Sequence, residues 1–125
     1  MHENEIAKIT VDCAFKVHKT LGPGLLESVY QAALAYELRK RGLQVVVEKP
    51  IPVVYEEVKL EVGFRADLIV ENKVVVEIKS VEAIAPVHSK VLLTYLRLTN
   101  KKLGLLINFN VDLIKDGIKR VVDNL

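Results

Sequence analysis

Two apolar runs, Phe64 to Val70 and Val74 to Ile78, are separated only by Glu71-Asn72-Lys73, and this spacing constrains the chain more than any other feature. Both runs are short and rich in β-branched residues, which predicts a pair of strands joined by a tight turn. Alternation places Phe64, Ala66, Leu68 and Val70 on one face of the first strand, and Val74, Val76 and Ile78 on one face of the second. If both sets face the core, Val70 pairs with Val74 across a three-residue loop and Asp67 falls opposite Glu77. A two-residue Asn72-Lys73 turn would instead send the two carboxylates to opposite faces. In the favoured register their Cβ atoms lie about 5 Å apart, and Lys79 projects beside Glu77 two positions further on.

Charges inside strands this apolar need an explanation. Two carboxylates so close repel, so without a cation one of them holds its proton to a higher pH than a free side chain does. A divalent ion removes that conflict. Hard oxygen ligands with room for water suit Mg²⁺ or Mn²⁺ better than Zn²⁺, because no histidine or cysteine lies nearby in sequence. The same three residues also suit a plainer arrangement, a solvated, ion-paired face of a half-exposed hairpin.

Upstream the period is helical. Ile6, Ile9, Cys13 and Val17 form one stripe of a helix from Glu5 to Leu21, which Gly22-Pro23-Gly24 should end. A second helix runs from Leu25 to about Arg41, with Gly42 as its left-handed terminator; it is apolar nearly all round, which predicts a central position. Glu27 opens this helix near its positive end, where an acid is favoured as a simple cap. Tyr30 and Gln31 share its face, so the three also make a polar strip able to meet the strand carboxylates. Val45-Val46-Val47 and Val53-Val54-Tyr55 read as strands, with Pro50 and Pro52 marking an edge or an irregular crossing between them. Pro86 starts a third helix that carries His88, Val91 and Tyr95 on one face, and Leu103 to Phe109 is a further strand. The tail from Asp112 fits either a helix or a strand over Ile118 to Val122.

This order predicts one α/β domain over residues 1–125, a mixed sheet flanked by helices with the third helix as a crossover. Eighteen basic against sixteen acidic residues give a net charge of +2, too small a surplus to announce nucleic acid by itself. Arg65, Lys90, Arg97, Lys101 and Lys102 are candidates for tracking a phosphate backbone, or ordinary solvated surface. The single Cys13 excludes an internal disulfide and an all-cysteine zinc cage, and reads as a small buried hydrophobe in a reducing, cytoplasmic setting. No apolar run is long enough to span a bilayer, so no membrane partner is expected. His18 reads as structural and His2 as part of a disordered start.

Gly24-x-x-Glu27-x-x-Tyr30, together with Arg65-Ala66-Asp67, Glu77-Ile78-Lys79, Pro86-Val87-His88 and Leu106-Ile107-Asn108-Phe109, resembles the bacterial GxxExxY protein family of the PD-(D/E)XK nuclease superfamily. The resemblance implies a restriction-endonuclease-like core and a Mg²⁺- or Mn²⁺-dependent nuclease acting on nucleic acid, with DNA expected. Carried over by position, Asp67 and Glu77 would be metal-binding acids, Lys79 the catalytic lysine, Glu27 an acid supplied by the early helix, and the carbonyl of Ile78 a further metal ligand. Tyr30, Tyr95 and His88 would contact substrate. The family pattern places a glutamine four residues before the tyrosine of the later helix; this chain has Val91, which cannot replace its hydrogen bonds. A catalytically degenerate fold, used to bind nucleic acid or to form a homodimer through the valine-rich edge near Val45, is therefore the alternative.

Overall fold

The apolar stripe of the first segment buries Ile6, Cys13 and Val17 in helix α1 (Glu3–Leu21), in a computed structural model that describes residues 1–125 and all side chains except those of Glu61 and Val62. His2 is ordered at its start: its Nδ1 accepts the Asn4 N–H at 3.0 Å and caps the helix, where the sequence suggests disorder. Helix α2 (Glu27–Lys40) packs on α1, pinned at the surface by Lys16 and Glu37 at 3.1 Å. Gly42, with φ +83°, ends the α2 turn as expected, and the Leu43 N–H reaches back to the Leu38 carbonyl at 3.2 Å. The central position expected for α2 is not observed. Only Tyr30, Leu34, Ala35 and Leu38 are buried, and Tyr36 on its outer side is 62% exposed. Apolar side chains counted around a helix do not reveal how many neighbours it has.

The sheet has five strands in the order β1 (Val45–Tyr55), β2 (Val58–Val70), β3 (Val74–Lys79), β4 (Leu103–Asn108) and β5 (Ile118–Val122). β3 and β4 are parallel and the other pairs antiparallel, so α3 (Pro86–Thr99) is the crossover that parallel strands require. The two segments with prolines form one continuous edge strand, and the ambiguous tail resolves into a short 3₁₀ turn, Ile114–Gly117, followed by β5. Two apolar clusters cover the sheet. One joins α1 and α2 to Leu68, Val70, Val74, Val76 and Ile78; the other joins α3 through Leu92 and Leu96 to Ala66, Ile69, Val75 and Leu106. α3 sits close: a Cβ on Gly104 would lie only 2.9 Å from the Leu92 side chain. Among the described residues no helix is long and apolar enough to cross a membrane.

The face expected for Phe64 and Ala66 is corrected. They pack under α3, while Leu68 and Val70 pack under α1 and α2. The hairpin rolls over between Ala66 and Leu68, and the partner strand turns with it at Glu48, which takes a left-handed φ of 51° opposite this point. Beyond Ile51 and Phe64 the register shifts, and Gly63 lies so close to the Ile51 carbonyl oxygen that a Cβ would collide with it. Because backbone cannot yield as a flexible side chain does, Gly63→Ala should lower stability by about 1–3 kcal/mol in urea unfolding.

Candidate active site

The turn between β2 and β3 has three residues, with Glu71 and Asn72 at positive φ and the Lys73 N–H donating to the Val70 carbonyl at 3.0 Å. Val70 therefore pairs with Val74 and Leu68 with Val76, the register that the loop length predicts. There the backbone ladder ends. Because the strand is rolling at this point, Asp67 reaches across to β3: its Oδ2 accepts the Ile78 N–H at 2.7 Å, and the Asp67 N–H approaches Glu77 Oε1 at 3.4 Å. The two carboxyl groups thus replace a strand pairing at the open end of the hairpin.

Glu77 and Lys79 project to the α3 side and line a small cavity of about 130 Å³ with His88, Val91 and Tyr95, floored by Leu92 and Leu106. Glu77 is only 9% exposed. Burial pushes its carboxyl up to about 8, and the Asp67 charge beside it adds to the shift. Burial raises Asp67 as well, against the opposing pull of the Ile78 N–H, and the Glu27 carboxylate is near enough to add to the rise. At neutral pH the pair therefore keeps a proton. Tyr95 stacks on Phe64 with ring centroids 3.7 Å apart, and its hydroxyl is held above the usual range by burial first and by Glu77 and Asp67 next. His88 Nδ1 accepts the Ala85 N–H at 3.1 Å, which leaves the ring proton on Nε2 when the imidazole is neutral.

Not every expected residue joins this group. Tyr30 is fully buried; its hydroxyl donates to the Gly22 carbonyl at 2.6 Å and accepts the Leu25 N–H at 3.1 Å, and its ring stacks on Phe109 at 4.5 Å. It clamps the glycine turn, where the resemblance implied contact with substrate. Glu27 stands exposed at the first position of α2, and the Ser80 hydroxyl, just past Lys79, donates to the Leu25 carbonyl at 2.7 Å, tying that end of the helix to the end of β3. Lys101 and Lys102 lie at the far end of the strands, since Leu103 pairs with Val74; Lys79 is five positions further along β3, about 17 Å along a strand. Lys101 Nζ bonds the Asn72 carbonyl at 3.1 Å there, so these two lysines do not converge on the carboxylates. Sequence reasoning gave Asn108 and Ser80 no role of their own. The available signal was an amide inside the otherwise apolar run Leu103 to Phe109.

A sequence model of the PD-(D/E)XK nuclease superfamily matches residues 4–121. The chain belongs to the PD-(D/E)XK nuclease superfamily. Comparison with curated proteins and with solved structures gave no match. The mixed sheet between helices agrees with the restriction-endonuclease-like fold of this superfamily. Among the described residues no three histidine, cysteine or acidic side chains converge as a ready-made cage. The donor set nevertheless fits Mg²⁺, which is commonly held by one or two carboxylates and keeps several waters.

Two outcomes are expected. A native acid titrating above its unfolded value holds a proton that the unfolded chain releases. Metal-free protein should therefore lose stability as pH rises from about 4.5 to about 8, and Glu77→Gln should flatten that slope in urea titrations run with a chelator. Tyr30→Phe, which deletes two hydrogen bonds of the turn, should cost about 1–2 kcal/mol in the same measurement.

Proposed function

We propose that this chain is a divalent-metal-dependent nuclease that hydrolyses phosphodiester bonds of nucleic acid, with DNA as its substrate. The observation that carries the reading is the meeting of Asp67 and Glu77 at the open end of the β2–β3 ladder, with Lys79 on the Glu77 face. A buried and a half-buried carboxylate that together keep a proton in the absence of a cation form a site whose charge conflict a cation relieves. Asp67, Glu77 and the Ile78 carbonyl would hold Mg²⁺ or Mn²⁺, with Glu27 acting from the start of α2. The ion would supply Lewis acidity toward the phosphodiester and toward water.

The chain's own groups do the rest. Lys79 places a positive charge beside the pair, where it can stabilise charge developing on a phosphate oxygen. His88, with its Nε2–H, and Tyr95, fixed by its stack on Phe64, form the α3 wall of the cavity. Of the basic candidates, the topology leaves Arg65 and Lys90 in the half of the molecule that contains Lys79. A second reading, a degenerate nuclease fold that binds nucleic acid or pairs with another copy, draws on Val91, which stands 39% exposed at the cavity and offers substrate no hydrogen bond.

Metal binding and cleavage separate the two. Millimolar Mg²⁺ or Mn²⁺ should raise the melting temperature, by the equivalent of about 2.7 kcal/mol at a hundred times Kd, and Asp67→Ala or Glu77→Ala should abolish the shift. Lys79→Ala should bind the ion yet cut DNA about 10²–10³-fold more slowly. Nucleic acid bound but left intact, with no shift on adding ion, would establish the degenerate reading.

A further inference from the structure

We propose that Asn108 is a positioning residue: through Val81 and Ser80 it sets where Glu27 stands relative to the Asp67–Glu77 pair. The inference rests on the metal-site reading above. Asn108 ends β4 directly beside Lys79 in the parallel ladder and is 1% exposed. A buried amide is costly unless its hydrogen bonds are made, and a leucine would fill a β4 position without that demand. Here three of the amide's four hydrogen-bonding positions are used. Its Oδ1 accepts the Val81 N–H at 3.1 Å and the Asn110 N–H at 3.2 Å, and its Nδ2 donates to the Val81 carbonyl at 2.9 Å.

One side chain thus holds both backbone groups of Val81, the second residue past Lys79, at the point where β3 has ended. Fixing Val81 fixes Ser80, whose hydroxyl holds the Leu25 carbonyl two residues before Glu27. α2 needs that support. Its N-cap is Leu26, which supplies no side-chain bond to the first turn, so the start of the helix is located by contacts from outside. The circuit closes on the other side: the Phe109 N–H donates to the Lys79 carbonyl at 3.0 Å, the Phe109 ring stacks on Tyr30, and the Tyr30 hydroxyl receives the Leu25 N–H. The ends of β3 and β4 and the start of α2 are therefore one braced unit. Asn108 and Ser80 join its catalytic strand to its acidic helix without either touching the cavity between Glu77 and Tyr95.

The test is Mn²⁺ affinity by titration calorimetry on the full chain, in a double-mutant cycle with Glu27→Gln. Asn108→Ala and Ser80→Ala should each weaken Mn²⁺ about tenfold, as loss of groups that orient a ligand does. In the Glu27→Gln background neither should weaken it further, because the acid they position is already gone. A merely structural role would lower affinity equally in both backgrounds, and that result overturns the proposal, as does wild-type affinity in both single variants. Ser80→Ala, which removes only a hydroxyl at the surface, carries the test if Asn108→Ala does not fold. Wild-type protein with no Mn²⁺ affinity sinks the metal reading and this proposal with it, whereas binding lost in Asp67→Ala but indifferent to Ser80 and Asn108 sinks this proposal alone.

Discussion

The turn of three residues between β2 and β3 is the constraint on which the rest depends. Strand pairing has a period of two, so one residue fewer in that turn would put Asp67 and Glu77 on opposite sides of the sheet. Glu71 and Asn72 both adopt positive φ to make the longer turn, and Glu71 is tied to Gln44 by bonds of 2.8 and 2.9 Å that anchor it beside the start of β1. A local backbone cost at the surface thus fixes the position of two carboxylates nearly a full strand length away. Apolar packing on both faces then holds the register, since a one-residue slip of β3 would turn Glu77 into the cluster under α1 and α2.

Proximity of like charges in a buried place is ordinarily destabilising, and the fold accommodates it in two ways. The Ile78 N–H satisfies Asp67, and a proton retained by Glu77 reduces the repulsion. Neither arrangement is needed for the core, which is complete without them. Hydrophobic clusters on either side of the sheet already bury the central strands, and Cys13, whose thiol is pushed up by burial, behaves there as one more small apolar group. The charged pair is maintained at a cost to the free protein. That cost makes chemical sense under the proposed metal-dependent function, in which a cation would relieve the repulsion that the proton now offsets.

Much of this was legible in the residues. Loop length gave the pairing of Val70 with Val74 and Gly42 gave the end of α2, while the prolines of β1 left an edge and an irregular crossing both open. Where reading failed, it failed for identifiable reasons. Strict alternation assumes an even strand, and nothing in Ala66-Asp67-Leu68 or at Glu48 announces a roll, because the left-handed position is occupied by glutamate rather than glycine. The spacing of Glu27 and Tyr30 assigns them to one face of a helix but not to depths, so a buried clamp and an exposed acid look alike. The basic residues after α3 were misplaced because only the parallel register of β3 and β4 reveals which end of the sheet they occupy.

Gly104 extends these points to the shape of the gap above the sheet. Leu92 rests on it at a distance that leaves no space for even a methyl group, and Leu92 also floors the cavity beside Lys79. A missing side chain on β4 therefore sets how low the helix rides. Exchanging that glycine for alanine or serine would act as a shim, lifting the wall formed by His88 and Tyr95 away from the carboxylates while leaving Asp67, Glu77 and Lys79 in place. The aperture of this gap is thus governed by a position that has no chemistry of its own.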